Sequence, residues 1–80
     1  MEIKVMGPGC KNCTTLEELT KSAVGDLGLD VNVQKVSDML QISLAGIMLT
    51  PGLVINGKVK HSGMPLPSEE KLKELIKEEM

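Results

Sequence analysis

Apolar and polar residues alternate along some segments of this chain and recur with helical spacing along others. Alternation predicts strands, because successive side chains of a strand point to opposite faces of a sheet. Apolar residues three and four positions apart predict helices with one buried face. The predicted elements are a strand over 2–6, a helix over 11–24, a strand over 31–36, a short helix over 39–45, strands over 53–55 and 58–61, and a final helix after Ser68.

Glycine and proline residues mark the ends of these elements. The Gly-Pro-Gly segment at 7–9 interrupts the first strand, and Gly25 and Gly28 offer stops for the first helix. Asn56-Gly57, between two apolar runs, is the strongest available signal for a two-residue hairpin. The last two strands are therefore expected to be antiparallel neighbours.

The order β-α-β-α-β-β-α predicts one α/β domain over residues 1–80. The first two strands are joined by a helix, so we expect them to be parallel with a right-handed crossover. One mixed four-stranded sheet flanked by helices accounts for the whole chain. In the second strand of the hairpin we expect Val59 to face the core and His61 to face solvent.

The composition narrows the range of functions. The net charge is −2, and the chain has no Phe, Tyr, Trp or Arg, which argues against the basic and aromatic surfaces that bind nucleic acids. No apolar run approaches the roughly 20 residues of a membrane span. Because the first residues lead directly into a strand, we expect no signal peptide and a cytoplasmic location. We also expect a monomer, because no helix shows a spare apolar face.

Cys10 and Cys13 are the two cysteines of the chain, three residues apart at the predicted start of the first helix. Two thiols at this spacing can close a disulfide or share a metal ion. In a reducing cytosol such a pair is more often catalytic or metal-binding than a structural crosslink. A closed zinc site needs four ligands, which this chain could supply only with a second subunit. We therefore expect redox chemistry with no bound metal or other cofactor.

The start of a helix favours an ionised thiol. Unpaired N–H groups and the positive end of the helix dipole stabilise a thiolate on Cys10, and Lys11 adds a nearby positive charge that tunes the pKa of this thiol. The thiolate is the form that attacks a disulfide. We expect Cys10 to be the nucleophile and Cys13, one helical turn deeper, to resolve the mixed disulfide.

The succession of a strand, Cys-x-x-Cys at a helix start, Thr50-Pro51, a hairpin and a final helix resembles the thioredoxin/glutaredoxin superfamily. The resemblance covers nearly the whole chain and is nearest to the compact thioredoxin-like proteins called small redox-active disulfide proteins. It implies a thioredoxin-like fold, protein disulfides as substrates and a thioredoxin-reductase-like electron donor. It also implies that Pro51 follows a cis peptide bond and packs against the disulfide, and that the backbone of Thr50 pairs with the substrate chain.

Two other functions use the same cysteine pair. A metal-binding carrier resembling heavy-metal-associated domains would also place Cys-x-x-Cys after the first strand, but the order of such domains is βαββαβ, and Thr50-Pro51 has no part in that fold. A binding module that uses the pair only as a redox sensor would keep the predicted fold. Turnover of disulfide substrates separates an oxidoreductase from such a sensor.

Overall fold

A computed structural model describes residues 1–9 and 11–80 of the protein. Within these residues the predicted elements are confirmed in type and order, as an α/β arrangement of four strands and three helices. Their bounds are β1 Ile3–Met6, α1 Lys11–Asp26, β2 Val33–Val36, α2 Met39–Leu44, β3 Gly52–Ile55, β4 Lys58–Ser62 and α3 Glu69–Lys77.

The four strands form one mixed sheet in the order β2-β1-β3-β4. β1 pairs in parallel with β2 and antiparallel with β3, and β3 pairs antiparallel with β4. The parallel first pair and the antiparallel hairpin are therefore confirmed. β1 and β3 occupy the centre of the sheet, and both consist mostly of buried residues.

The sheet has an apolar layer on each face. Alternate residues of β1 and β3, such as Val5 and Leu53, join the side chains of α1 and α3 in the larger core. Met6 and Val54, the neighbours of those two residues along the strands, point the other way and pack with Ile42 and Ile47 around α2. Period-two alternation thus assigns α1 and α3 to one face of the sheet and α2 to the other.

Two of the helices end in the same way, at a glycine with positive φ. After α1, Gly28 has φ +69°, its N–H donates to the carbonyl of Gly25, and the N–H of Leu29 donates to that of Val24. This pair of hydrogen bonds is a Schellman motif, which supplies donors to carbonyls at the helix end that have no partner within the helix. Gly28 therefore ends the helix, and Gly25 lies inside it.

α2 is a short helix held by both of its caps. The Asp38 side chain accepts a hydrogen bond from the N–H of Leu40 at 2.9 Å. At the other end Gly46 has φ +90°, and the N–H of Ile47 donates to the carbonyl of Ile42. This Schellman motif turns the chain so that Ile47 packs with Ile42 in the smaller core.

The Asn56-Gly57 turn joins β3 and β4 as predicted. Both residues have positive φ, 53° and 80°, as a type I′ turn requires. Asn56 also donates its N–H to the carbonyl of Glu2 at 2.8 Å and accepts from the N–H of Glu2 at 2.9 Å. The turn is therefore attached to the beginning of β1 as well as to its own two strands.

The expectation for the side chains of β4 is wrong. Between Leu53 and Val54 the register with β4 shifts, so that Val54 lies opposite Val59, Leu53 lies opposite His61, and Lys60 is an extra residue. Opposite residues share a face of the sheet. Val59 therefore lies on the α2 side of the edge strand and is 42% exposed, while His61 lies on the other side and is half-buried.

α2 leaves much of its apolar surface uncovered. Ile42 is buried, but Met39, Leu40 and Leu44 are exposed, Leu44 to 78%. The premise that no helix has a spare apolar face is therefore wrong, because the smaller core needs only one side of a six-residue helix. Over residues 1–9 and 11–80, no helix has the length and apolar character needed to cross a bilayer.

Candidate functional site

The end of β1 and the beginning of β3 bring the site residues to one edge of the sheet. Met6 pairs with Gly52, so the chain that leaves β1 toward α1 runs beside the chain that enters β3 from Thr50-Pro51. The first turn of α1 begins at this edge. Cys10, the predicted nucleophile, lies outside the described residues; the rest of the candidate site lies within them.

Cys13 is fully buried at this edge, on the third residue of α1. Its side chain lies against the backbone of Gly7, the residue that follows β1. A Cβ placed on Gly7 would overlap Sγ of Cys13, and it would lie 3.0 Å from Cβ of Cys13 and 3.9 Å from Cα of Pro51. The end of β1, the predicted resolving cysteine and the predicted substrate-positioning proline therefore meet at one point.

Pro51 is buried and follows a cis peptide bond from Thr50. The carbonyl of Pro51 accepts a hydrogen bond from the N–H of Gly63 at 2.9 Å, and the carbonyl of Leu49 accepts one from Oγ of Ser62 at 3.0 Å. The end of β4 thus supports the segment that enters β3. Thr50 itself is half-buried.

The turn after β4 also supports the segment that enters β3. Nε2 of His61 lies 2.7 Å from the carbonyl oxygen of Gly63. Gly63 has φ +82°, and the Met64–Pro65 peptide bond is also cis. Neither this second cis bond nor the contact of His61 with the turn is predicted by the sequence pattern.

The first turn of α1 carries a positively charged side chain at its start. Lys11 is the first residue of the helix and is exposed, and the described part of that turn contains no acidic residue. Oγ1 of Thr15 donates to the carbonyl of Lys11 at 3.0 Å. The local field at this helix start is therefore positive, from the N–H groups and from the lysine.

An apolar rim, formed by Met48, Leu49 and Met64, adjoins the candidate site. All three side chains are exposed, Met48 to 92%. Met48 and Leu49 directly precede Thr50-Pro51, and a Cβ on Gly63, the neighbour of Met64, would lie 3.0 Å from Cβ of Leu49. Exposed methionines form adaptable contacts with varied apolar surfaces.

Sequence reasoning missed Gly7 and the apolar rim. The sequence pattern indicates Gly7 only as a strand terminator, although a glycine three residues before Cys10 is also compatible with a close backbone approach. Ile47, Met48 and Leu49 are three consecutive apolar residues. So short a run does not indicate that Ile47 is buried and its two neighbours are exposed. Within the part of the chain that the structure describes, no three His, Cys, Asp or Glu side chains are grouped as metal ligands.

A family model described as thioredoxin domain matches residues 1–77. This chain belongs to the thioredoxin domain family. A protein named Thioredoxin from Methanothermobacter thermautotrophicus is 38% identical over 76 residues, which cover 95% of this chain and 97% of that one. A second Thioredoxin, from Methanocaldococcus jannaschii, is 35% identical over 75 residues, which cover 94% of this chain and 85% of that one.

Membership in the thioredoxin domain family confirms the resemblance stated from the sequence and the thioredoxin-like fold. It places the chain in a family of thiol–disulfide oxidoreductases. The observed element order ends in a helix and so differs from the βαββαβ order of heavy-metal-associated domains.

Proposed function

We propose that this chain is a thiol–disulfide oxidoreductase that reduces protein disulfides through Cys10 and Cys13. The observation that carries the proposal is the buried sulfur of Cys13, which lies against Gly7 and near Pro51 at the start of α1. A sulfur held in this way is kept from external disulfides, as a resolving thiol must be. The family of the chain supports the same chemistry.

The reaction proceeds in two exchanges. The thiolate of Cys10 attacks one sulfur of a substrate disulfide and forms a mixed disulfide, while the other substrate sulfur leaves and takes up a proton. The thiolate of Cys13 then attacks Sγ of Cys10, and the second substrate sulfur leaves as a thiol. Two electrons pass from the protein's dithiol to the substrate, and the Cys10–Cys13 disulfide remains.

The substrate is a protein segment that lies across the apolar rim. The exposed Met48, Leu49 and Met64 side chains supply an apolar contact surface next to Pro51, and the backbone of Thr50 pairs with the substrate main chain. This surface adapts to different sequences because methionine has many accessible conformations. Binding therefore depends on an apolar residue near the substrate cysteine more than on a particular charge.

The electron donor is a dithiol of the thioredoxin-reductase class. It reduces the Cys10–Cys13 disulfide by the same two exchanges in reverse, and its own dithiol is oxidised. Lys11 and the positive end of α1 favour the thiolate of Cys10 as the leaving and attacking group. We place this cycle in the cytoplasm, where such reductants keep dithiols reduced.

Substitution of each cysteine in turn tests the assignment. Cys13→Ser leaves the nucleophile but removes the resolving thiol, so it accumulates mixed disulfides with a model substrate such as insulin. Cys10→Ser lacks the nucleophile and accumulates none. Intact mass spectrometry after acid quenching measures both results, and the wild-type chain with dithiothreitol provides the turnover reference.

The opposite pattern of trapping would show that the roles of the two cysteines are reversed. A wild-type chain that forms the intramolecular disulfide but does not reduce insulin would be a redox sensor. Failure to form that disulfide, with both thiols protected from alkylation by added zinc, would indicate a metal carrier.

A further inference from the structure

Gly7 lies where β1, α1 and the segment before β3 come closest together. It is buried, and its N–H donates to the carbonyl of Val36 at 2.9 Å, which extends the pairing of β1 with β2 by one residue. The space that a side chain on Gly7 would need is filled by Sγ of Cys13. Contact between these two residues is direct, from main chain to sulfur.

Gly7 is needed for space and not for an unusual backbone conformation. The glycines at 9, 28, 46, 57 and 63 have positive φ, and Gly7 is not among them. Gly52 is the other glycine whose Cβ would overlap a neighbour, and there the neighbour is the Ile47 side chain of the smaller core, through Cδ1 and Cγ2, and not a cysteine of the site. At Gly7 both Sγ and Cβ of Cys13 are close, so a change of rotamer at Cys13 relieves only part of the overlap.

We propose that Gly7 is a positioning residue that sets the place of the resolving sulfur. The proposal rests on the proposed function, in which Cys13 attacks the mixed disulfide at Cys10. The backbone of β1 is fixed by pairing on both sides, so a methyl group on Gly7 moves the cysteine and not the strand. A misplacement on the order of 1 Å can lower the rate of an oriented reaction by about 10²-fold.

Gly7→Ala tests the proposal in a single-turnover reaction of the reduced chain with an excess of a peptide disulfide. We expect formation of the mixed disulfide to stay within about threefold of the wild-type rate. We expect its resolution to slow by about 10²-fold, so that the mixed disulfide accumulates even though Cys13 is present. Quenched-flow sampling with intact mass spectrometry separates the two steps.

Two control variants separate positioning from a general loss of stability. Gly25→Ala replaces a glycine whose Cβ meets nothing within 4 Å, and it leaves both rates unchanged. Ile76→Val removes a methyl group from the larger core in α3; it lowers the urea midpoint without slowing resolution. The proposal would be overturned if Gly7→Ala resolved the mixed disulfide at a rate within threefold of the wild-type rate. It would also be overturned if Ile76→Val slowed this step as much as Gly7→Ala does.

A second measurement covers the case in which Gly7→Ala folds poorly. In a Cys13→Ala background the overlapping sulfur is gone, so Gly7→Ala lowers the urea midpoint by less than half as much as it does with Cys13 present. An equal lowering in both backgrounds would show that the two residues are not coupled and would overturn the proposal. This double-mutant cycle measures stability and needs no activity. Trapping of mixed disulfides by Cys13→Ser tests only the proposed function, so the two proposals can fail separately.

Discussion

Asn56 of the hairpin turn makes hydrogen bonds to residues at both sides of the hairpin, Glu2 and Glu79. It occupies the left-handed region with φ 53° and exchanges two hydrogen bonds with the backbone of Glu2. Its Nδ2 also donates to the carbonyl of Glu79 at 3.4 Å. Asparagine suits the position because it tolerates positive φ and carries both a donor and an acceptor.

Asn56→Ala should lower the free energy of unfolding by about 2 kcal/mol. Alanine at positive φ is destabilised by about 1 kcal/mol or more, and the side-chain hydrogen bonds are lost as well. Asn56→Gly keeps the backbone conformation and loses only the bonds, so we expect about half that effect. Urea unfolding of the three proteins measures both values. Equal losses for the two variants would show that the backbone conformation contributes nothing.

At the scale of elements, β4 and the end of α3 are joined by ion pairs. Nζ of Lys60 lies 2.9 Å from Glu79 and 3.1 Å from Glu78, and Nζ of Lys58 lies 3.4 Å from Glu79. The hydrogen bond from Lys60 holds the pKa of Glu79 below its ordinary value. Hydrogen bonds to Glu79 and Glu78 hold the pKa of Lys60 above its ordinary value.

These pKa shifts predict how stability depends on pH. The contribution of Glu79 is complete above the ordinary pKa of a glutamate and is lost as the pH falls through its lowered value. Glu79→Gln should therefore lower the thermal midpoint at neutral pH, and the difference from wild type should shrink in acid. Thermal unfolding by circular dichroism between neutral and acidic pH measures this difference.

Glu74→Gln is the matched control, since Glu74 is more exposed and its oxygen lies 3.9 Å from Nζ of Lys71. We expect this variant to follow the wild-type curve closely, because exposed pairs contribute little. A difference between Glu79→Gln and wild type that stays constant into acid would contradict the role given to the carboxylate.

The elements were predictable because their signals are local. The Asn56-Gly57 turn and the period of α1 are signals of this kind, and so is the N-cap of α3, where Oγ of Ser68 accepts a hydrogen bond from the N–H of Lys71 at 3.1 Å. The faces of β4 were not predictable, because the extra residue Lys60 changes which side chains point inward and nothing in the local pattern marks it. The exposure of Leu40 and Leu44 depends on how little of the sheet α2 covers, which is a tertiary property.

The candidate site was predictable in part for the same reason. Cys13 and Pro51 are marked by short motifs, and their approach follows once β1 and β3 are neighbours. The role of Gly7 depends on a contact between the end of a strand and the side chain of a following helix. A tertiary contact of this kind leaves no recognisable signal in the sequence around Gly7.

At the scale of the whole molecule, the two faces of the sheet are unequally covered. α1 and α3 pack against each other and against β1 and β3 in the larger core, while α2 contributes Ile42 as its one buried residue. Segments with few buried apolar contacts open locally at a lower free energy than the core. α2 is therefore expected to open without unfolding of the rest.

Native-state hydrogen exchange tests this expectation. The amides of Ile42 and Ala45, which donate to Asp38 and Gln41, should exchange through openings that depend little on urea. The amides of β1 and β3 should follow the global unfolding free energy. Ile42→Ala should weaken protection in α2 first, and urea-sensitive exchange of α2 equal to that of β1 would contradict independent opening.

The contacts of Asn56 bring Glu2 and Glu79 together. Its side chain holds the backbone of Glu2 on one side and that of Glu79 on the other, and it does so at the end of the sheet away from Met6 and Gly52, where Cys13 lies. A short linker that joins these two positions, or a domain fused at one of them, would therefore lie at the end of the sheet away from Cys13. Two positions held this close can also be connected in a circularly permuted variant.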